Sequence, residues 1–597
     1  MKNKIIYITT IAFTLFLCGC EKFLDRPPLG AIGDTPEFWN NEQDVRTYAM
    51  QYYASRFNGF GDTNGGGWFF DNRNLCDDFS SGTLPLFQPL TAGASNGDWT
   101  SKFHQIRADN IFVNRMSVAN MGSPEATNHW LGIARFWRAV DYSDFVLEFG
   151  KVPYYDQVLD ENSPELFKPR DSVTYVMDKV LEDFKFARDN VRLADPATGP
   201  KGQVVNKWVV EGIMARMLLA AGTTIKYNPA YGSADKVKAG IYLQAAKDAA
   251  KDVMDNGGFT LAPNYQLLCS SQDLTGNPEV ILFRAYSDIV TPIILHEIMF
   301  RNLPSTVQSS AGNKDLLDSY LKTDGTVYSA GGADDHGART YFASRDPRLG
   351  KTFLTDTFYF AGKTPLNIGS TATGFKCWKF LDVPNQTATS ASNQKNITDA
   401  PVLRLGEVML SYIEACVELQ DLGLYSVTDN DLDITINKLR GYNGGGRNFG
   451  TGVTLLPKLT LATIPNDPNK DPDVSPLKWE IRRERRVELV FEGFRLDDLK
   501  RWRKLNYMNT ILFPKTNLGA WLVKDMTNAQ NKKLQVANLD GTVIAGADQP
   551  GAGYVQPAIQ ARGSDNIMDR YYLNYIPTQE IVRYQNAGFT LDQNPGW

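Results

Sequence analysis

The sequence is poor in histidine, in paired cysteines and in net charge. Only four histidines occur, His104, His129, His296 and His336, which leaves little material for zinc sites or imidazole acid–base chemistry. Carboxylate chemistry is not excluded by that shortage. Lys+Arg total 62 against 67 Asp+Glu, a net charge of −5, so the basic footprint of non-specific nucleic-acid binding is missing. Beyond Cys18 and Cys20, the cysteines are Cys76, Cys269, Cys377 and Cys416, scattered and without a C-x-x-C. That spacing excludes a zinc ribbon and leaves any disulfide unassigned. No apolar run reaches the ~20 residues that a membrane-spanning helix needs.

The 597 residues are 43% apolar and 22% charged, a globular composition. At ~150 residues per domain the length allows about four domains, or one large domain with elaborated loops. Aromatics at 12% point to a large packed core, and 49 Gly with 30 Pro to many turns and long loops. The amino end has its own pattern. Lys2 and Lys4 precede an apolar stretch from Ile5 to Leu17, too short to span a bilayer and suited to a secretory signal. It ends in Leu17-Cys18-Gly19-Cys20, with a small residue before Cys20. Residues 1–19 therefore read as a lipoprotein signal peptide and Cys20 as the acylated residue of the mature chain. Several acyl chains at ~0.8 kcal/mol per buried CH₂ anchor a protein stably.

Apolar residues then recur at helical spacing. Val173, Val176, Met177, Val180, Leu181 and Phe184 form one stripe; Leu405, Val408, Met409, Tyr412, Ile413 and Cys416 form another. Ile133, Phe136, Trp137 and Val140 mark a third helix, and Ile241, Ala245, Ala249 and Val253 a fourth, stopped by Gly257-Gly258. Further helices are expected near 40–57, 101–120, 205–221, 431–440 and 479–504. Strands are expected at Val280–Phe283 and around Phe353–Phe360. The pattern predicts a mainly α protein of stacked helix hairpins, with three long loop regions: 58–100, 284–312 and 504–570. Ordered loops of that length usually carry function.

Catalytic motifs fail on inspection. Gly93-Ala94-Ser95-Asn96-Gly97 fits G-x-S-x-G, but Pro85 and Pro89 upstream and Asn96-Gly97-Asp98 within it are turn chemistry, not a strand-to-helix elbow. His296-Glu297 lacks the second zinc histidine, since position 300 is Phe. Gly362-Lys363-Thr364 lacks the first P-loop glycine. Asp467, Asn469 and Asp471 have calcium-loop spacing, but Pro472 replaces the turn glycine and Lys478 the bidentate acid. Asp77-Asp78, Asp334-Asp335 and Asp497-Asp498 are adjacent pairs, which do not face one site across a sugar. The charged run Glu480–Lys504, with Val487, Val490, Phe491 and Phe494 threaded through it, predicts a helix whose Arg and Glu pair across an interface.

Several segments in order resemble the RagB/SusD family of surface lipoproteins from Bacteroidota. They are Cys20-Glu21-Lys22-Phe23-Leu24-Asp25; Trp99, Phe103, Ile106 and Asn110; Arg135-Phe136-Trp137-Arg138-Ala139 with Tyr142 and Phe149-Gly150-Lys151-Val152-Pro153; and Arg345-Asp346-Pro347-Arg348-Leu349. Arg404-Leu405-Gly406-Glu407-Val408 with Glu414-Ala415, Asn437 with Arg440, Ile481–Leu489 with Glu492-Gly493 and Arg495, Ile576-Pro577 with Glu580-Ile581, and Asn594-Pro595-Gly596-Trp597 continue the match. The resemblance implies a tetratricopeptide-like scaffold of helical hairpins with a loop-rich, irregular second half. On that basis residues 20–225 form the N-terminal region and 226–597 the C-terminal region, with later helices at 403–421 and 479–504. It also implies a non-catalytic protein of the outer membrane, facing the cell exterior, that captures nutrients, usually glycans, for a SusC-like TonB-dependent transporter. The hallmark residues themselves build the scaffold.

Neutral oligosaccharides suit this composition, because sugar C–H faces lie on aromatic rings while polar side chains bond the hydroxyls. Trp68, flanked by Gly65-Gly66-Gly67, is the expected stacking residue, with Asp71 and Arg73 as hydroxyl partners and Tyr286 and Arg301 on the second loop. Peptide is the second ligand class. A lipid-anchored scaffold that binds protein through its helices, or a surface glycosidase, are the competing functions. No cofactor is implied; bound calcium stays open.

Overall fold

The structure, a computed structural model, describes residues 36–61, 75–87, 89–194, 202–229, 235–289, 295–298, 310–355, 358–360, 364–366, 371–385, 395–442, 444–529 and 531–597. The signal segment 1–19 and Cys20 lie outside the described residues.

Helices dominate the first half: α1 (Glu42–Arg56), α2 (Gly97–Val118), α3 (Pro124–Phe149), α4 (Val173–Asn190), α5 (Lys207–Tyr227) and α6 (Lys236–Asn256). Local sequence sets their starts. Asn96, Ser123, Ser172, Asn206 and Asp235 cap α2 to α6, each side chain accepting a backbone N–H of the first turn. Such caps contribute ~1 kcal/mol each. Gly150, with φ +73°, ends α3, and Gly257 ends α6 as its pattern predicted. Neighbouring helices pack as hairpins, α2 on α3, α3 on α4, and α5 on α6, with α6 then packing on α7 (Leu405–Gln420). The division at 225/226 falls in the last turn of α5. The core of this stack is aromatic: Tyr52 of α1 stacks on Trp137 of α3 at 5.5 Å, and Trp99 of α2 meets Phe103, Phe145 and Phe149 edge-on. Trp99 is 4% exposed, a scaffold residue.

The segments behind the family resemblance do structural work here. Arg138 and Arg135 of α3 grip Asp183 of α4 at 2.7 and 2.6 Å. Tyr142 donates to the Tyr155 carbonyl at 2.9 Å. At the other end of the chain, Asn594 donates to the carbonyls of Phe149 and Asn574 at 2.9 and 2.7 Å.

The expected helix 479–504 is two helices. α8 (Pro476–Glu488) stops, the chain turns through Phe491 at φ +65° and Gly493 at φ +88°, and α9 (Arg495–Arg501) follows. The turn lets both helices present their charges inward. Arg404 bonds Glu279, Glu488 and Glu492 at 2.9, 2.8 and 2.7 Å; Arg348 reaches Asp346 and Glu484 at 2.7 and 2.8 Å; Arg440 reaches Glu484 at 2.6 Å. The pairing expected for this run holds, inside the protein and not at its surface. The expected helix near 431–440 is likewise two short pieces, Asp429–Asp433 and Ile436–Leu439.

The second half contains more β structure than its sequence suggested. β1 (Phe79–Ser81) pairs antiparallel with β3 (Ser310–Gly312), and β2 (Val280–Arg284) with β4 (Ala400–Arg404). The hairpin of Phe358–Phe360 with Thr364–Leu366 includes part of the expected strand region. The region 504–570, expected as loop, carries β5 (Trp521–Val523), β6 (Val536–Ala537), β7 (Val543–Ala545) and β8 (Ala552–Val555) in one sheet of order β5-β8-β6-β7. Each strand is two to four residues long, too short for an alternating pattern to register.

Candidate functional site

A cleft of about 260 Å³ opens on the loop-rich half, between β5, β8 and the turn Ala333–His336. Its rim is aromatic. The His336 ring stacks on Trp521 with centroids 4.0 Å apart and 27° between planes, and Tyr554 meets Trp521 edge-on at 5.1 Å. His336 is exposed and Trp521 half-buried. Phe342, Phe375 and Tyr341 form the apolar wall.

The floor is charged but internally paired. Lys314 and Asp335 lie 3.2 Å apart with side chains 1% and 0% exposed. Lys314 also pairs with Asp318 at 3.1 Å and sits over the rings of Tyr341 and Tyr554, 4.7 and 4.9 Å from their centroids. Asp335 accepts from the Tyr328 hydroxyl at 2.5 Å, the Gly331 N–H at 2.7 Å and the Tyr554 hydroxyl. Burial alone would raise the Asp335 carboxyl. Lys314 and the tyrosine hydroxyls outweigh it and hold the group below the usual carboxylate range. Asp335 thus stays ionised, and the floor is satisfied without a ligand.

Local sequence explains this geometry. Gly331, at φ +93°, and Gly332 lead into the turn that carries Asp335 and His336. Asp335, pinned from four sides, fixes the position of its neighbour His336. Gly519 precedes β5 because nothing larger fits: a Cβ there would lie 2.0 Å from the Thr373 carbonyl oxygen. That close approach lets Ala520 N–H donate to Thr373 at 2.7 Å and sets Trp521 beside the segment 371–375.

Of the residues expected to touch ligand, Tyr286 alone is among the described residues. Trp68, Asp71, Arg73 and Arg301 lie outside the described residues. Tyr286 is described and is 5% exposed. Its ring packs against Phe60 and His296, centroids 6.2 and 4.5 Å away, and its hydroxyl donates to the Asn58 carbonyl at 3.3 Å. Tyr286 therefore ties the stems of the two expected ligand loops together. Burial lowers His296 to about 3, so this imidazole is a neutral packing group. The stretch 75–81 is bound to the arginine helices: Asp77 pairs with Arg495 at 2.7 Å and Asp78 with Arg486 at 2.6 Å. Asn96 caps α2, so Gly93–Gly97 forms a helix start without a preceding strand. The four described cysteines are buried, and burial pushes the Cys269 and Cys416 thiols up to about 12. Among the described residues no three His, Cys, Asp or Glu side chains converge as metal ligands.

Sequence reasoning missed Trp521 and His336. Trp521 does lie in a region singled out as a long loop, two residues after a glycine, the same signal that drew notice to Trp68.

Known structures show where this fold belongs. A SusD-like protein from Bacteroides fragilis superposes with a TM-score of 0.66 at 20% identity, covering 96% of this chain and all of that one (100%). A SusD-like carbohydrate binding protein from the same species gives 0.65 at 20% identity, covering 92% of this chain and 98% of its own. A structure solved with xylogluco-oligosaccharide gives 0.53 at 19% identity, covering 91% and 99%. No curated protein matches the chain significantly. The class defined is a helical, tetratricopeptide-like scaffold bearing a SusD-like, loop-rich half. The SusD family model matches residues 302–597, and the chain belongs to that family.

Proposed function

We propose that this protein captures a glycan outside the cell and hands it to a TonB-dependent outer-membrane transporter of the SusC type, without altering it. The observation that carries the reading is the cleft: an aromatic rim of Trp521 and His336 over a floor whose charges are already neutralised. Sugar rings offer apolar C–H faces to such a rim. The SusD-family scaffold and the similar structure solved with xylogluco-oligosaccharide support the reading.

Trp68, Asp71, Arg73 and Arg301 are proposed contacts for a longer glycan. Cys20 is the proposed lipid attachment that holds the protein on the outer membrane. Calorimetry and affinity gels against a glycan panel test capture, and release of reducing sugar tests for turnover. Co-purification with a large β-barrel tests the transporter partner, and mass spectrometry of the mature amino end tests acylation of Cys20. Turnover of a bound glycan, or an unmodified Cys20 in a protein free of membrane, overturns the respective part.

A further inference from the structure

Where α1 meets the hairpin of α2 and α3, two carboxyl groups face one cation. Asp109 of α2 and Asp141 of α3 are 0% and 1% exposed. Arg56, the last residue of α1, donates to Asp141 Oδ2 from Nε and Nη2 at 3.1 and 2.7 Å. Its Nη2 stays 3.6 Å from Asp109 Oδ1, too far for a hydrogen bond. The other cations near the pair are committed elsewhere. Arg138 is bound to Asp183 and Asn110, and Lys102 pairs with Asp144 at 3.4 Å. The remaining titratable groups of α1 that face Asp109 are Tyr48 and Tyr52, which bring no positive charge.

The donors divide the two acids. Asp141 Oδ2 receives both Arg56 bonds. Among the described residues nothing donates to either Asp109 oxygen or to Asp141 Oδ1, and all three are closed to solvent. Burying an ionised carboxylate without donors costs far more than burying the neutral acid. The two carboxyls lie within hydrogen-bonding reach of each other. Burial first, then the Asp141 charge, pushes the Asp109 carboxyl well above the usual carboxylate range, and Arg56 and Arg138 do not offset it.

We infer that Asp109 is held as an uncharged carboxylic acid whose O–H donates to Asp141 Oδ1, and that this shared proton is a pH-sensitive clasp fastening α1 to the helical stack. With the proton in place, Asp141 and Arg56 form one ion pair and the orphaned Asp141 oxygen gains a donor. Removing it leaves two adjacent anions for one guanidinium, so the clasp loosens as pH rises. A raised folded value makes the contribution complete below the unfolded value of 3.8 and lost as pH climbs toward the folded one. The clasp lies among α1, α2 and α3 and does not depend on the reading of the cleft.

The test is infrared spectroscopy of the intact mature protein carrying isotope-labelled aspartate, which separates aspartate from glutamate carboxyls. It is read on the alkaline side of about 7, the value to which burial raises Asp399. Wild type shows the carbonyl band of a protonated aspartate there, and Asp109→Asn loses it. The amide of Asp109→Asn still donates to Asp141 but does not titrate, so this variant keeps the wild-type melting temperature near neutral pH and falls less on the alkaline side. Absence of the band in wild type overturns the inference without any variant. A band that survives Asp109→Asn belongs to another aspartate and overturns it as well. An Asp109→Asn protein that fails to fold, or melts well below wild type, shows that Asp109 is needed as an anion and also overturns it.

Discussion

Trp521 and Glu211 show how much a single side chain decides here. The first is one of 11 tryptophans, and nothing in its immediate sequence separates it from Trp99, which is core. What distinguishes it is the Gly519 contact beneath it and the His336 ring upon it. Trp521→Ala is expected to cost more than about 1 kcal/mol of glycan affinity, the mark of an anchoring aromatic, read by calorimetry; unchanged affinity would remove it from the site. Glu211 of α5 is buried beside Asp252, and burial first, then that neighbour, raises its carboxyl to about 8. In the unfolded chain the group titrates near 4.5. A raised folded value favours folding below the unfolded one and loses that contribution as pH climbs toward 8. Glu211→Gln should flatten the fall in melting temperature between pH 4.5 and about 8, the window set by those two values. If the two melting profiles run parallel, Glu211 is not the cause. Neither role was legible beforehand, because exposure and burial are properties of the folded neighbourhood.

Elements were easier to read where their signals are local. The stripes at 173–184, 241–253 and 405–416 all became α-helices, and the cap Ser172 sits where the first of these patterns begins. Asn96→Ala is expected to lose ~1 kcal/mol in denaturant unfolding through the unsatisfied first turn of α2. The run 479–504 was harder. Its charge pattern is continuous, and the break at Phe491 and Gly493 serves a tertiary purpose, letting α8 and α9 converge on one buried network. Glu488 accepts from Arg404 at 2.8 Å and also bonds Arg447 and Arg348. Glu488→Leu takes one carboxylate from three buried arginines that keep only their remaining partners, and should cost about 3–5 kcal/mol or prevent folding; a drop below about 1 kcal/mol would mean the network is dispensable. The same network predicts acid sensitivity. Burial alone would raise Glu492, yet Arg404 and Lys379 overcome it and lower it to about 2. Glu418 is lowered to about 2 by Lys478, Lys226 and Arg482 against the same burial. Lowered folded values give stability that is complete above the unfolded value of 4.5 and lost as pH falls toward 2. Melting curves that stay level across that interval would contradict this. The short strands of the 504–570 region escaped notice because two or three residues carry no period.

At the scale of the whole molecule, the last described residues pack back on the end of α3. Asn594 holds the end of α3, and Trp597 donates to the carbonyls of Arg570 and Leu573 at 3.1 and 2.9 Å. Asn594→Ala should cost about 1–3 kcal/mol, by orphaning buried carbonyls, and expose residues 574–597 to protease before the helical stack unfolds; cleavage at the wild-type rate would show that the pin is unimportant. By itself the sequence determined the helical architecture, the family and the scaffold role of the shared segments. Those depend on caps, periodicity and fixed local spacing, which act over a few residues. Only the tertiary structure decided the cleft. Its parts come from positions 314, 335, 336, 371, 521 and 554, and no local rule brings together residues so far apart along the chain. They meet because buried ion pairs and close backbone contacts, satisfied only in the complete fold, leave one aromatic edge open to solvent.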